Sequence, residues 1–170
     1  MRDTRTAMPP VDASADSLRI WHCRYKTLNP VGRLKELRTL VVATYPDDSL
    51  ALLRPLQKLQ YLRILHLPKI RDLSPLKDLQ RLESLSLETL PSWDPSEKVT
   101  EVESLEPLAS LPALKHVALF GVVSKTRSLL ALQQSRSLIS AQFTKYPKAE
   151  MNRFYEETSV VNQSVPKPPS

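Results

Sequence analysis

The sequence predicts an α/β architecture: a solenoid of about six short coils. A parallel β-sheet lines one wall, and short helical or 3-10 turns line the other. Three observations carry this. An apolar template, L-x-x-L-x-x-L-x-L, recurs along the chain. A second signal, L-x-P-L, leads into it at a constant offset. The end of the template alternates apolar and other residues, as in Ser84-Leu85-Ser86-Leu87-Glu88, which is the period of a strand with one buried face. The 170 residues are 41% hydrophobic but only 6% aromatic, so leucines must build the core of what is long enough for one domain with tails.

Taken in order, the first coil places Ala15, Leu18, Trp21 and Cys23 in the template slots. The second places Leu34, Leu37, Leu40 and Val42. The third, LQYLRILHL, places Leu59, Leu62, Leu65 and Leu67, and the fourth, LQRLESLSL, places Leu79, Leu82, Leu85 and Leu87. The fifth has Leu111, Leu114, Val117 and Leu119, and the sixth has Ser135, Leu138, Ala141 and Phe143. Weaker end copies suit units that face solvent on one side. The second, fourth and fifth coils carry extra loop residues. The L-x-P-L signal reads Leu53-Arg54-Pro55-Leu56, Leu73-Ser74-Pro75-Leu76 and Leu105-Glu106-Pro107-Leu108, with Val31 in the copy at Leu28 and Ala131 in the copy at Leu129. Proline suits the first residue of a helical turn, where no N–H is needed. Asn29 and Ser74 then stand as N-caps. One coil cannot bury its apolar face alone, whereas stacked coils share a spine in which each buried leucine contributes about 1.5–3 kcal/mol. Leucines three apart also fit a helix, but the L-x-L step and the recurring prolines argue against long helices.

This pattern, over residues 15–146, resembles the leucine-rich-repeat proteins. The stretch IRDLSPLKDLQRLESLSLETL is similar to the repeat of bacterial internalins and of the phosphatase-regulating type. The resemblance implies that the solenoid is right-handed and curved, with the parallel β-sheet on its concave wall and the short helical or 3-10 turns on its convex wall. It also implies a role in protein recognition, and is nearly silent about the ligand. One departure is plain. The family sets an asparagine three residues after the last leucine, where this chain has Lys26, Tyr45, Ile70, Leu90, Val122 and Tyr146. The loops must therefore satisfy their backbone by other means.

Alternation sends three columns outward from the sheet. The first holds Ile20, Thr39, Ile64, Ser84, His116 and Ser140; the second His22, Val41, His66, Ser86, Ala118 and Gln142; the third Arg24, Ala43, Pro68, Glu88, Phe120 and Thr144. From these the candidate partner-binding residues are Ile20, His22, Arg24, Val41, Ile64, His66, Glu88, His116 and Phe120, joined by Tyr25 and Tyr45 at the basic end. Exposed apolar side chains rimmed by polar ones mark interaction surfaces, and Arg and Tyr are frequent hot-spot residues. All three histidines fall on this face. His22 and His66 stand two coils apart, roughly 10 Å from strand spacing alone, too far to share a zinc ion. No metal or other cofactor is expected.

A second candidate is the insert at residues 91–104, PSWDPSEKVTEVES. Its Trp93 and Asp94 either tuck back on the solenoid or project toward a partner. Residues 1–14 read as disordered, and residues 147–170 as a capping segment followed by a disordered, proline-rich tail. In the capping segment Met151, Phe154 and Tyr155 share one helix face.

The net charge is +6, with two glycines and fifteen prolines. Cations concentrate in residues 19–38 and acids in residues 94–106. One cysteine, Cys23, rules out an internal disulfide and favours a reducing, cytoplasmic setting. The N-terminus lacks an apolar signal core, and no run of about 18 apolar residues marks a membrane span. No phosphate loop, H-E-x-x-H or cysteine cluster points to an enzyme. The expected function is a non-catalytic, monomeric protein-interaction module working through its concave face. Alternatives are a bacterial immunity or inhibitor protein that neutralises a toxin or enzyme, and nucleic-acid binding through the basic N-terminal end, which the scarcity of interleaved aromatics disfavours.

Overall fold

A computed structural model describes residues 4–168. Six parallel strands form the main sheet: β1 (Ser17–Ile20), β2 (Thr39–Ala43), β3 (Tyr61–Leu65), β4 (Ser84–Glu88), β6 (His116–Phe120) and β8 (Ser140–Phe143), in spatial order β1-β2-β3-β4-β6-β8. Two more, β5 (Thr100–Val102) and β7 (Val122–Ser124), pair in a small parallel sheet of their own. Each strand neighbours the next coil's strand, so the chain climbs as a leucine-rich-repeat solenoid.

The register aligns Ser17, Thr39, Tyr61, Ser84, His116 and Ser140. Four coils therefore sit where the leucine template puts them. The first and third are shifted by three residues toward the N-terminus, which makes the first three strands evenly spaced and removes the extra loop expected in the second coil. The third coil contains leucine at 50, 53, 56, 59, 62 and 65, so the template slides along it without losing a match. The sheet selects Tyr61–Leu65 over the alternative strand through Pro68. Pro68 has no N–H to give a ladder, and YLRIL is the better strand former.

The core follows from this register. Leu40, Leu62, Leu85, Val117 and Ala141 stack behind the sheet, and Val42, Ile64, Leu87 and Leu119 stack beside them, all at most 1% exposed. On the opposite wall Leu28, Leu50, Leu73, Leu105 and Leu129 each open a helical turn, their carbonyls accepting from the N–H three residues on at 2.8–3.0 Å. These turns are 3-10 at Asn29–Arg33, Ala51–Leu53 and Ser74–Asp78, and become short α-helices at α1 (Glu106–Ala109) and α2 (Leu130–Gln133). Pro55 follows its turn rather than opening it.

The caps differ from expectation. Asn29 and Ser74 are the first residues of their turns, and no side-chain cap bond comes from the preceding leucines. Instead the residue before each leucine accepts from the N–H two positions on: Thr27 to Asn29, Ser49 to Ala51, Asp72 to Ser74, Ser104 to Glu106 and Ser128 to Leu130, at 2.8–3.1 Å. These are the local side-chain turns that Ser, Thr and Asp favour. The slot that the family fills with asparagine holds Cys23, Tyr45, Leu67, Leu90, Val122 and Tyr146 in this register. Backbone bonds between coils serve these loops, as from Tyr45 N–H to His66 O at 2.9 Å and from Thr89 N–H to Phe120 O at 2.8 Å.

At the C-terminal end α3 (Lys148–Glu157) lays Phe154, fully buried, edge-on to Phe143. The Tyr155 hydroxyl donates to Ala141 O at 2.7 Å. Val161 then bridges to Ser140 and exchanges backbone bonds with Ile139 and Ala141 at 3.0 Å, so the outer edge of β8 is paired there rather than left bare. At the other end residues 4–14, read from sequence as unstructured, lie against the first coil, with Met8 and Val11 packed on the core and Lys26 N–H donating to Thr6 O at 2.9 Å. The expectations for residues 1–3 and 169–170 fall outside the described residues.

Candidate functional site

Three outward rows follow from the register. The first runs Ser17, Thr39, Tyr61, Ser84, His116, Ser140; the second Arg19, Val41, Arg63, Ser86, Ala118, Gln142; the third Ala43, Leu65, Glu88, Phe120. Of the residues assigned to this face from sequence, Val41, Glu88, His116 and Phe120 occupy it. Ile20 and Ile64 do not. They point inward, 5% and 0% exposed, because their coils are shifted by three. Arg19, Tyr61, Arg63 and Leu65 take the outward places instead. Tyr45 is also buried, its hydroxyl donating to Ser49 O at 3.0 Å.

His22 and His66 belong to a different feature. One or two residues past the strand, at the same register position, the backbone turns left-handed in five coils: His22 (φ 52°), Thr44 (70°), His66 (62°), Gly121 (71°) and Lys145 (67°). Histidine visits this region more readily than most side chains. Both therefore mark the turn at the strand's end and do not face out from the sheet. Arg24 and Tyr25 lie in the loop after β1, Arg24 exposed and Tyr25 half-buried against the core.

The centre of the face is a floor of small side chains, Ser84, Ser86, Ala118 and Ser140, each under 9% exposed. Tyr61 and Arg63 flank Ser84 and Ser86 on one side, His116 stands between Ser84 and Ser140, and Phe120 and Gln142 border the far part. Arg63 is held by Glu88 in a forked pair, Nε to Oε1 at 2.8 Å and Nη2 to Oε2 at 3.2 Å, while Ser86 Oγ donates to the same carboxylate at 2.7 Å. That bond to Glu88 holds the Arg63 guanidinium above its usual range. Burial pushes the Tyr61 phenol up, so it remains a neutral hydroxyl. His116 Nδ1 lies 2.7 Å from Ser140 Oγ. Burial, with Lys115 adding to it, lowers its pKa. This pair has the reach of a base and a nucleophile. However, Ser140 is 2% exposed, and among the described residues no carboxylate hydrogen-bonds the ring. Nor do the described residues include a group of three or more His, Cys, Asp or Glu side chains placed to hold a metal.

The insert folds across the turns at the ends of the strands. Trp93, half-buried, meets His66 edge-on at 4.9 Å between ring centroids, and burial lowers the His66 pKa. Asp94 and Glu97 reach Lys145 of the sixth coil at 3.3 and 3.4 Å, and Lys145 Nζ also donates to Asp94 O at 2.9 Å. The insert thus spans from the third coil to the sixth. Its last part is β5, a strand absent from the sequence reading, which buries Thr100 and Val102 and turns Glu101 outward. Gly121, directly before its partner β7, lies close against Thr89: a Cβ there would fall 2.2 Å from Thr89 Oγ1.

The signal missed in the sequence was the Thr, Ser or Asp directly before the turn-opening leucine. Placed on Ser49-Leu50, it sets the third coil in its observed register and brings Tyr61 and Arg63 onto the face.

No protein-family model matches the sequence, and no curated protein does. Among solved structures, the chain is similar to internalin C2 of Listeria monocytogenes strain 4b F2365. They are 19% identical, over 74% of this chain and 60% of that one, with a TM-score of 0.48. It is also similar to an internalin (inlF) of the same strain, 21% identical over 78% of this chain and 44% of that one, with a TM-score of 0.39. The chain therefore spans under two thirds of the length of either. The fold itself is established by the strand register and the core described above.

Proposed function

We propose that this chain is a non-catalytic protein-recognition module that receives its partner on the outer face of the six-stranded sheet. The supporting observation is the makeup of that face. The half-buried Leu65 and Phe120 and the edge of Tyr61 provide apolar and aromatic contact, the small side chains of Ser84, Ser86, Ala118 and Ser140 lie low among them, and Arg63 is already fixed by Glu88. Aromatic and arginine side chains held in fixed places are what anchors in protein interfaces require. Strands about 4.8 Å apart hold them at fixed spacing. The lone thiol of Cys23 accords with a reducing, cytoplasmic setting. No helix among the described residues is long and apolar enough to cross a membrane.

The test is capture from the native source with the wild-type chain and with A118R and F120A as baits. Ala118 sits between Ser86 and Gln142 in the outward row, so an arginine there projects into the path of a docked partner. Proteins retained by wild type and lost by both variants, with circular dichroism unchanged, are the expected result. Equal retention by all three baits excludes this face.

A further inference from the structure

The proposed binding face does not carry its charge evenly, and the unevenness selects a ligand chemistry. Some cations near the first four coils are already committed. Arg63 pairs with Glu88, Arg54 with Asp78 and Lys58 with Glu36. Further along, Lys115 pairs with Glu83. Arg19 and Arg38 differ. Both are exposed, and among the described residues neither enters an ion pair. They flank one cleft of about 270 Å³ at the starting edge of β1, β2 and β3, whose lining includes Asp16, Gln60 and Tyr61.

We propose that this cleft takes an acidic side chain of a protein partner, its carboxylate lying between the guanidiniums of Arg19 and Arg38. The proposal rests on the recognition reading above and adds the chemistry of the partner. Two guanidiniums against the single carboxylate of Asp16 leave one net positive charge, which one Asp or Glu neutralises. Guanidinium forks match carboxylate geometry. Tyr61 lines the wall, its neutral hydroxyl adding a donor and its ring an apolar contact for the flanking residue. A nucleic acid fits less well. Its phosphates repeat closely and call for a row of cations, whereas the outward row continues from Arg63 into Ser86, Ala118 and Gln142, and Asp16 repels a polyanion.

The experiment is selection of a phage-displayed random peptide library on the folded full chain. Affinities of the enriched peptides are then measured against wild type, R19E/R38E, R19K/R38K and A118R/F120A. The expected result is enrichment of Asp or Glu beside an apolar residue. R19E/R38E should weaken binding at least tenfold, and R19K/R38K should restore most of it. Both arginines are exposed, so the charge reversal leaves the core intact, which circular dichroism checks. Peptides without acidic residues, insensitive to R19E/R38E but lost with A118R/F120A, overturn the acidic proposal and leave the face reading standing. Peptides insensitive to every variant remove both. A library that enriches no acidic sequence, or tight R19E/R38E-sensitive binding of a 20-nucleotide DNA strand in its place, also overturns the proposal.

Discussion

Ile64 and Leu65 are adjacent, nearly equal in size, and opposite in fate, so they test the register of the third coil directly. Ile64 is 0% exposed and lies opposite Val42 and Leu87, themselves 0% exposed. Leu65 is half-buried on the outward row, opposite Ala43 and Glu88. Truncating Ile64 to alanine removes apolar atoms from a site with packed neighbours on both sides, where collapse is restricted. A loss of about 3–4 kcal/mol is expected, within the roughly 2–5 kcal/mol of such changes. Leu65→Ala leaves a void open to water and should cost about 1 kcal/mol or less. At roughly 2–4 °C per kcal/mol for a chain of this size, Ile64→Ala lowers the melting midpoint by about 6–16 °C, and Leu65→Ala by a few degrees at most. Thermal and urea unfolding followed by circular dichroism read both. The shifted template demands the opposite order, with Leu65 inside and Ile64 outside. A larger loss from Leu65→Ala than from Ile64→Ala would refute the register, and with it the places of Tyr61 and Arg63 on the face.

Two further outcomes are expected. Gly121→Ala should destabilise by more than about 1 kcal/mol, because the residue combines φ +71° with a Cβ position 2.2 Å from Thr89 Oγ1. Adding Thr89→Ala should recover the steric part and leave the backbone part, as read by urea midpoints of the single and double variants. Burial holds the His66 and His116 pKa values below the ordinary 6.5. As pH falls through that value the unfolded chain binds protons that the folded chain resists, so stability drops between about pH 7 and pH 5. Melting midpoints across that window should fall for wild type and fall less for H66N/H116N; parallel slopes would remove the two rings as the cause.

The fold was legible because its signal is redundant. Three coils, the second, fourth and fifth, carry leucines at unambiguous spacing, and they agree on which residues turn inward. Legibility failed where the signal repeats too closely. From Leu50 to Leu65 every third residue is leucine, and a template with a three-residue step cannot choose its starting point there. Pro55 made the wrong start attractive by imitating the turn-opening prolines at 30, 75 and 107. The first coil failed for a related reason: Trp21 and Cys23 are apolar enough to pass for core slots, yet Leu18 and Ile20 match Leu40 and Val42 better. A slip of one residue would have inverted every side chain. A slip of three does the same, since three is also odd. That is why two misplaced coils moved Ile20 and Ile64 to the surface on paper while hiding Arg19, Tyr61 and Arg63. The histidines misled because the alternation rule says nothing about where a strand stops, and both stand just past that point, where the backbone turns left-handed.

The molecule's charge is arranged along its length, and this bears on how a partner would approach. Uncommitted arginines flank the cleft at the first three strands. At the far end the acidic insert is bound to Lys145, while the side chains of Asp94 and Glu97 stay 71% and 82% exposed. Ion pairs so open to water are worth little as stability. The insert is held instead by the Trp93–His66 contact and the β5–β7 ladder, which leaves its carboxylates free to act on the surroundings. A partner that is acidic at one end is then drawn to the arginine end and repelled from the insert end. Such complementarity sets orientation and association rate more than it sets affinity. The neutral floor of Ser84, Ser86, Ala118 and Ser140 lies between the two, so the contacts that hold a docked partner fall where the charges that steer it do not. Added salt should therefore slow association, by screening the two ends, more than it speeds dissociation from the floor.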